Sequence, residues 1–447
     1  MKTVIMAGGK GTRISALYPD IPKPLIPLTS STGITKPVLE WEIESLSKQG
    51  FKEIIITVSY MHEKIEDYFG NGSNWGVNIH YYIEETPLGN AGALFKLKNV
   101  LSKEAFLLLS ADVVFDIDFR KFVEFYNHHD CDALIYVHPN SHPYDSSLIV
   151  SDKEGKVAAW YNKGENRIGW YGNLVNAGVH ILSPRIFNDL NINENEIGQV
   201  DSEGKAIKVD LDSDILKPLC RKGTLYCYKK SEYIKDMGTP DRLKHVAEDF
   251  QRGIVFKKNL AKKQKAVFLD RDGTINRYVG FLRNIDDFEL IEGVSEAIKR
   301  INESGYLAIV VTNQPVIARG EVTVDELTEI HNKMETLLGE EGAYVDAIYY
   351  CPHHPDSGFA GEIKELKIKC ECRKPSPGML LKAAKDYNID LSESWMIGDR
   401  ESDVLTGINA GCHTALISDQ TANETKAELV CNSLFETVNN ILINKEK

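Results

Sequence analysis

The sequence predicts an α/β protein built from two doubly wound domains. Three observations carry that expectation. Apolar, β-branched runs alternate with amphipathic helical stretches from Thr3 to Leu109. The same alternation restarts at Ala266. In both halves, short turns rich in glycine or aspartate follow strands, and sheets of this kind bind ligands at the carboxyl ends of their strands.

A chain of 447 residues is too long for one ordinary core, so two or three domains are expected. With 43% hydrophobic and 26% charged residues the chain reads as globular. A net charge of −13 argues against a nucleic-acid surface, while local clusters of Lys and Arg leave small anionic substrates open. No apolar run approaches the length of about 18 residues that a membrane span needs. The opening stretch, Met1 to Gly9, reads as a first strand and not as a signal peptide. Three of the eight cysteines, Cys351, Cys370 and Cys372, cluster, which suits thiols and a metal in the cytoplasm better than a disulfide framework.

The first strand, Thr3–Met6, runs into Ala7-Gly8-Gly9-Lys10-Gly11-Thr12-Arg13. Closely spaced glycines let a backbone approach a ligand, and successive N–H groups can face a phosphate; a tight turn would need the same residues. The pattern is neither a Walker loop nor the dinucleotide fingerprint. Ile21-Pro22-Lys23-Pro24-Leu25 then places a lysine in a stiff, extended segment. Helices are expected over Val38–Gln49, Met61–Phe69 and Leu88–Leu97, and strands over Glu53–Val58, Val77–Ile83 and Ala105–Leu109. Asp112 follows the last of these.

The run Ala-Gly-Gly-x-Gly-Thr-Arg, then Pro-Lys-Pro-Leu, then Leu88-Gly89-Asn90-Ala91-Gly92, then a strand ending in Asp, resembles the sugar-1-phosphate nucleotidyltransferase family, whose fold is Rossmann-like. The likeness covers about residues 1–245. It implies that Gly8, Gly9, Gly11, Thr12 and Gly89 cradle a nucleotide, and that Arg13 and Lys23 neutralise its phosphates. It implies that Asp112 and Asp236 hold Mg²⁺, that Lys163 meets the sugar phosphate, and that Asn176 contacts the sugar. The chemistry suits those residue types: attack of one anion on another needs a divalent ion and several cations. A solvated lysine and an ordinary turn asparagine are the plain alternatives at Lys163 and Asn176. No hexapeptide repeat follows residue 245.

Residues 246–264 hold several lysines and read as a basic connector with little core potential. The second domain, residues 265–440, opens on Ala266–Leu269, an apolar strand that ends in Asp270-Arg271-Asp272-Gly273-Thr274. Two carboxylates one residue apart at a strand end can divide the work of nucleophile and proton carrier; an acidic strand-to-turn corner would look the same. Helices are expected over Gly293–Ser304, Val324–Leu338, Pro377–Tyr387 and Ser402–Ala410. Strands are expected over Leu307–Val311, Ala347–Tyr350, Trp395–Ile397 and His413–Ile417.

Asp270 and Asp272, Thr312, Lys374, and Asp399 with Asp403 then fall at strand ends in an order that resembles the haloacid dehalogenase superfamily of phosphatases. The resemblance implies attack on phosphorus by Asp270 and acid–base work by Asp272. It implies phosphate binding by Thr312, Asn313, Gln314, Arg373 and Lys374, and Mg²⁺ held by Asp270, Asp399 and the backbone carbonyl of Asp272. Asp403 is expected to orient the site. Cys351-Pro352-His353-His354 and Cys370-Glu371-Cys372 offer three thiolates and an imidazole, a set that suits four-coordinate structural Zn²⁺. The resemblance implies Cys351, His353, Cys370 and Cys372 as ligands, with His354 as the spare imidazole. The loop looks like that of the heptose 1,7-bisphosphate 7-phosphatases, with histidinol-phosphate phosphatases as close relatives. Pro315-Val316 stand where those relatives carry Ser-Gly.

Taken together, the halves resemble a heptose 1-phosphate guanylyltransferase fused to a heptose bisphosphate phosphatase. That implies GTP and phosphorylated heptoses as ligands, with neither nucleic acid nor membrane as partner; self-association into a homo-oligomer stays open. A mannose-type guanylyltransferase joined to a histidinol-phosphate phosphatase is the other reading.

Overall fold

The computed structural model describes the chain apart from Lys10, Thr12, Asn166, Ile168, Asn191, Ser202, 419–424 and 444–447. It divides into two units. One comprises Met1–Val137, Ile149–Trp160 and Asn176–Phe256; the other comprises His138–Leu148, Tyr161–Val175 and Lys257–Lys447.

The first unit is built on a nine-stranded sheet whose centre is parallel. Thr3–Met6 lies between Glu53–Val58 and Phe106–Ser110, with Thr3 opposite Ile54 on one side and Leu107 on the other. Asn78–Ile83 extends the parallel part. Buried on both faces, the central strands Thr3–Met6 and Phe106–Ser110 read as apolar runs, and Leu107, Leu108 and Leu109 are all fully buried. The sheet is not parallel throughout: Val175–Leu182 runs antiparallel to Phe106–Ser110. A small antiparallel pair, Val113–Asp116 with Tyr233–Asp236, sets Asp236 opposite Val113.

The helix expected over Leu88–Leu97 starts only at Gly92. Gly89 has a positive φ of 88°, and a Cβ there would sit 2.3 Å from the Val209 carbonyl oxygen. The chain before Gly92 therefore forms a cavity wall instead of a helical turn.

The second unit carries a six-stranded, all-parallel sheet. Its order is Ala347–Cys351, Leu307–Asn313, Ala266–Leu269, Trp395–Gly398, His413–Ile417, Leu429–Cys431. Asp270, Thr312, Cys351 and Asp399 all fall at or just beyond the carboxyl ends of neighbouring strands. The helix Val324–Glu340 is started by a capping box, with Thr323 and Glu326 satisfying each other's backbone N–H. Thr336 on that helix exchanges two hydrogen bonds of 3.0 Å with the Tyr171 backbone, so residues 161–175 attach to this unit.

The stretch 246–264, expected to have little core potential, differs from that reading. The helix Pro240–Gln251 runs into it, and Val246, Phe250, Ile254, Val255 and Leu260 are buried. The lysines mask the apolar residues set between them. No helix among the described residues is long and apolar enough to cross a membrane.

Candidate active sites

In the first unit the carboxyl ends of the parallel strands open into a cavity of about 640 Å³. Of the residues singled out from sequence, Gly8, Gly9, Gly11, Arg13, Lys23, Gly89 and Asp112 line it. Gly8 brings its backbone close to Glu84: a Cβ there would stand 3.0 Å from Glu84 Oε1. Lys23 Nζ lies 2.8 Å from Asp112 Oδ2, and Ser110 Oγ donates to Asp112 Oδ1 at 2.6 Å. Burial raises the Asp112 carboxyl, but Lys23 and Ser110 outweigh it and hold it below its usual range.

Asp236 is delivered beside Asp112 by the strand pair, and Met237 N donates to the Asp112 carbonyl at 2.9 Å. Its carboxylate accepts from Arg242 Nη1 at 2.9 Å on both oxygens. Asp236, Lys163 and Asn176 are not among the residues that line this cavity. Lys163 is an exposed residue of the second unit, paired with Asp145 at 2.5 Å. Asn176 spends its carboxamide oxygen on Gly178 N at 3.3 Å and His180 Nε2 at 3.0 Å, and it does not line the cavity. In both cases a nearby partner in the fold captures the side chain. Thr12, expected at the nucleotide, lies outside the described residues.

Lys208, Glu84 and Glu42 are not singled out by the sequence motifs. Lys208 lines the cavity on a segment held by the Leu88–Ala91 backbone: Val209 N donates to Leu88 O at 2.9 Å and Ala91 N to Val209 O at 3.1 Å. Asn90 fastens the same segment, accepting from Leu211 N at 2.7 Å and donating to Asp210 at 3.0 Å. Glu84 lines the cavity too, its carboxyl raised by burial. Glu42 is fully buried, with neither carboxyl oxygen hydrogen-bonded among the described residues; burial and then the Asp112 charge push its pKa well up.

The second unit holds a cleft of about 270 Å³ lined by Asp270, Asp272, Thr312, Asn313, Gln314, Arg373 and Lys374. Lys374 is buried between two carboxylates, 2.7 Å from Asp270 and 2.6 Å from Asp403. Burial drives the Asp270 carboxyl up to about 6, against the pull of Lys374. Burial, and then the Asp270 charge, bring Asp399 to about 6 as well. Asp399 Oδ1 is buried with no hydrogen-bond partner among the described residues. Asp270, Asp399 and Asp403 bring one oxygen each within 4.8 Å of one another. An orphaned carboxylate oxygen among carboxylates fits a hard divalent cation.

Asp403, expected only to orient the site, thus belongs to this group; its other oxygen accepts from Arg400 N at 3.1 Å. The Asp272 carboxylate stands outside the group, bonded to Arg271, Asn276 and Gln314. Gln314 also donates to Thr312 Oγ1 at 3.0 Å. Pro315 and Val316 line the cleft, and Val316 packs with Ile317, Val322 and Leu327 in a small core of its own. Tyr278 and Arg400 complete the rim, the guanidinium 4.6 Å from the ring centre.

Gly273 is fixed by geometry. Its φ is +87°, and a Cβ would stand 2.2 Å from Asp399 Oδ2. Gly273→Ala is expected to displace Asp399 at a cost of about 1–3 kcal/mol, raising the Mg²⁺ concentration for half-maximal phosphate release about tenfold or more. A Mg²⁺ titration of the variant checks this.

Beside the cleft, Cys351, His353, Cys370 and Cys372 bring one ligand atom each within 4.8 Å of one another. The sulfurs lie 3.2–3.5 Å apart, and His353 Nδ1 is 3.3 Å from Cys372 Sγ. Three thiols gathered this closely around an imidazole suit a tetrahedral metal ion. His354 turns away: its Nδ1 accepts from Asp356 N at 3.1 Å, and it lines the cleft instead. Arg373 follows Cys372 directly and donates to the His353 carbonyl at 3.3 Å. This cysteine–histidine group adjoins the segment that delivers Arg373 and Lys374.

The two sites define a protein of phosphoryl and nucleotidyl transfer. Residues 2–253 match the nucleotidyl transferase family and residues 371–437 the HAD-hydrolase-like family. The chain is 44% identical over 181 residues to the D-glycero-beta-D-manno-heptose-1,7-bisphosphate 7-phosphatase of Haemophilus ducreyi, covering 39% of this chain and 97% of that protein. It is 41% identical over 158 residues to the enzyme of that name from Escherichia coli K12, covering 35% and 81%. Among solved structures, HddC from Yersinia pseudotuberculosis is 25% identical with a TM-score of 0.45, over 56% of this chain and 99% of that one. The chain belongs to the nucleotidyl transferase family through its N-terminal part and to the D-glycero-β-D-manno-heptose-1,7-bisphosphate 7-phosphatase family through its C-terminal part. It is a fused, bifunctional enzyme.

Proposed function

We propose that this chain catalyses two consecutive steps. It removes the 7-phosphate of D-glycero-D-manno-heptose 1,7-bisphosphate, then transfers GMP from GTP to heptose 1-phosphate with release of pyrophosphate. The observation that carries the reading is the Asp270–Lys374–Asp399 cluster, in a chain whose C-terminal part matches nearly the full length of a heptose bisphosphate phosphatase. Guanine as the base rests on the resemblance of the N-terminal motifs.

In the phosphatase cleft an Asp270 oxygen attacks phosphorus and the bond to the C7 oxygen breaks. Asp272 gives that oxygen its proton. Water then attacks the aspartyl phosphate, loses a proton to Asp272, and restores the Asp270 carboxylate as phosphate leaves. Lys374 offsets charge on the phosphoryl oxygens, and Thr312 donates to one of them. Arg373 and Arg400, which line the cleft, meet the second phosphate of the bisphosphate in this reading. Asp270, Asp399 and the Asp272 carbonyl would hold Mg²⁺, which when bound neutralises the phosphoryl group.

In the transferase cavity Arg13 and Lys23 draw charge from the triphosphate, and the glycine loop admits it. Asp112 and Asp236, carboxylates on adjoining strand ends, would hold Mg²⁺ there. Phosphorus NMR tests the first step: the C7 monoester signal is expected to vanish while the C1 phosphate persists. Loss of the C1 signal first would refute the assignment.

Zinc at the cysteine group is part of the proposal. Elemental analysis is expected to find one zinc per chain. Cys372→Ser is expected to lose that zinc and roughly tenfold or more of phosphate release, through the slackened Arg373–Lys374 segment, with pyrophosphate release unchanged.

A further inference from the structure

Arg271, between the two aspartates of the phosphatase motif, is fully buried and ranks among the largest such side chains of the described residues. A buried guanidinium must be paired, and its pairing is expensive in desolvation. This one is spent on a single partner carboxylate. Nε donates to Asp272 Oδ1 at 3.1 Å, and Nη2 lies 2.9 Å from both Asp272 oxygens. The remaining nitrogen, Nη1, donates to Nε2 of His331 at 3.2 Å.

His331 lies 60 residues away in sequence, on the helix Val324–Glu340, and is buried. Burial and the Arg271 charge push its imidazole well below the ordinary value, so the ring is neutral and its Nε2 lone pair is free to accept. Asn276 and Gln314 complete the grip with one hydrogen bond to each oxygen of Asp272, at 3.1 and 2.9 Å. A buried ion pair adds little net stability over an apolar pair of the same size. What it does provide is one orientation of the planar carboxylate.

We infer that Arg271 and His331 form a buried clamp that positions the Asp272 carboxylate for its proton transfers, with His331 holding the guanidinium plane and Arg271 holding the acid. The inference rests on the aspartyl-phosphate reading above. Neither residue touches substrate; both are positioning residues. Their loss impairs the steps that need Asp272 and spares the attack by Asp270.

Two substrates separate these steps. The heptose bisphosphate has an alkoxide leaving group that needs a proton. p-Nitrophenyl phosphate does not, so its first step is independent of Asp272, while hydrolysis of the aspartyl phosphate still depends on it. The experiment is acid-quench and stopped-flow kinetics on the full chain with Mg²⁺, comparing His331→Leu, which removes the acceptor, with His331→Gln, which keeps one.

With p-nitrophenyl phosphate, His331→Leu is expected to give a burst of one nitrophenolate per active site and to accumulate phosphoenzyme. Its kcat should fall about tenfold or more while kcat/KM stays within about threefold. With the bisphosphate, kcat/KM should fall as well. His331→Gln is expected to recover most of the loss. Equal loss of kcat/KM on both substrates without a burst, or no rescue by Gln, overturns the clamp.

Asp272→Asn is the reference. Phosphoenzyme there but none in His331→Leu refutes the clamp alone; none in either refutes the aspartyl-phosphate reading itself. Arg271→Lys, which keeps the charge and loses the fork, carries the same comparison if His331→Leu does not fold.

Discussion

Asp270→Asn is expected to abolish phosphate release, by roughly 10⁴-fold or more, because it removes the atom that bonds to phosphorus. An amide is a far weaker nucleophile than a carboxylate. It also removes one of the three carboxylates gathered at Asp399, and it leaves Lys374 with Asp403 as its remaining anion. Pyrophosphate release from GTP and heptose 1-phosphate should stay within about twofold, since the transferase cavity is lined by residues of the other unit. A coupled assay that reads phosphate and pyrophosphate separately checks both halves. Loss of both would mean that the chemistries are not independent.

Asp112→Ala is expected to do the converse, lowering pyrophosphate release by roughly 10²–10³-fold with phosphate release intact. The carboxylate has two tasks. It is a metal ligand in the proposed reaction, and it fixes the Lys23 ammonium at 2.8 Å. Its removal frees Lys23 and takes away a charge that, after burial, raises the Glu42 carboxyl. The variant should therefore lose metal dependence as well as rate. A Mg²⁺ titration of the residual activity distinguishes this from a mere binding defect, which would shift KM and leave kcat.

The phosphatase site was the more legible of the two, for a physical reason. Asp270, Thr312 and Asp399 stand at the ends of apolar runs, and a parallel sheet brings the ends of such runs to one edge. Lys374 follows no strand and joins them from the turn after Cys370 and Cys372. Asp403 joins the same cluster. It stands four residues beyond Asp399 across a helix start, so the two carboxylates can face one site.

Arg271 gave no local sign of its role, because its second partner, His331, arrives from a distant helix. Glu42 did leave a signal: it falls in line with Val38 and Leu46 at helical spacing, on the buried face of Val38–Lys48. Lys163 is a different case. Its motif points to the transferase cavity, yet residues 161–175 fold with the second unit and Asp145 takes the charge. Lys208, by contrast, reaches the cavity from a stretch without hydrophobic periodicity, which offers a sequence reader nothing to hold.

The claim that one chain both trims and activates the same sugar is tested most directly in a single vessel. Purified protein, Mg²⁺, D-glycero-D-manno-heptose 1,7-bisphosphate and an equal mixture of the four nucleoside triphosphates are incubated, and the products are read by mass spectrometry. GDP-heptose, with one phosphate and one pyrophosphate released per molecule formed, is the expected result. Bisphosphate left untouched, or heptose 1-phosphate accumulating with no nucleotide sugar, would contradict the account.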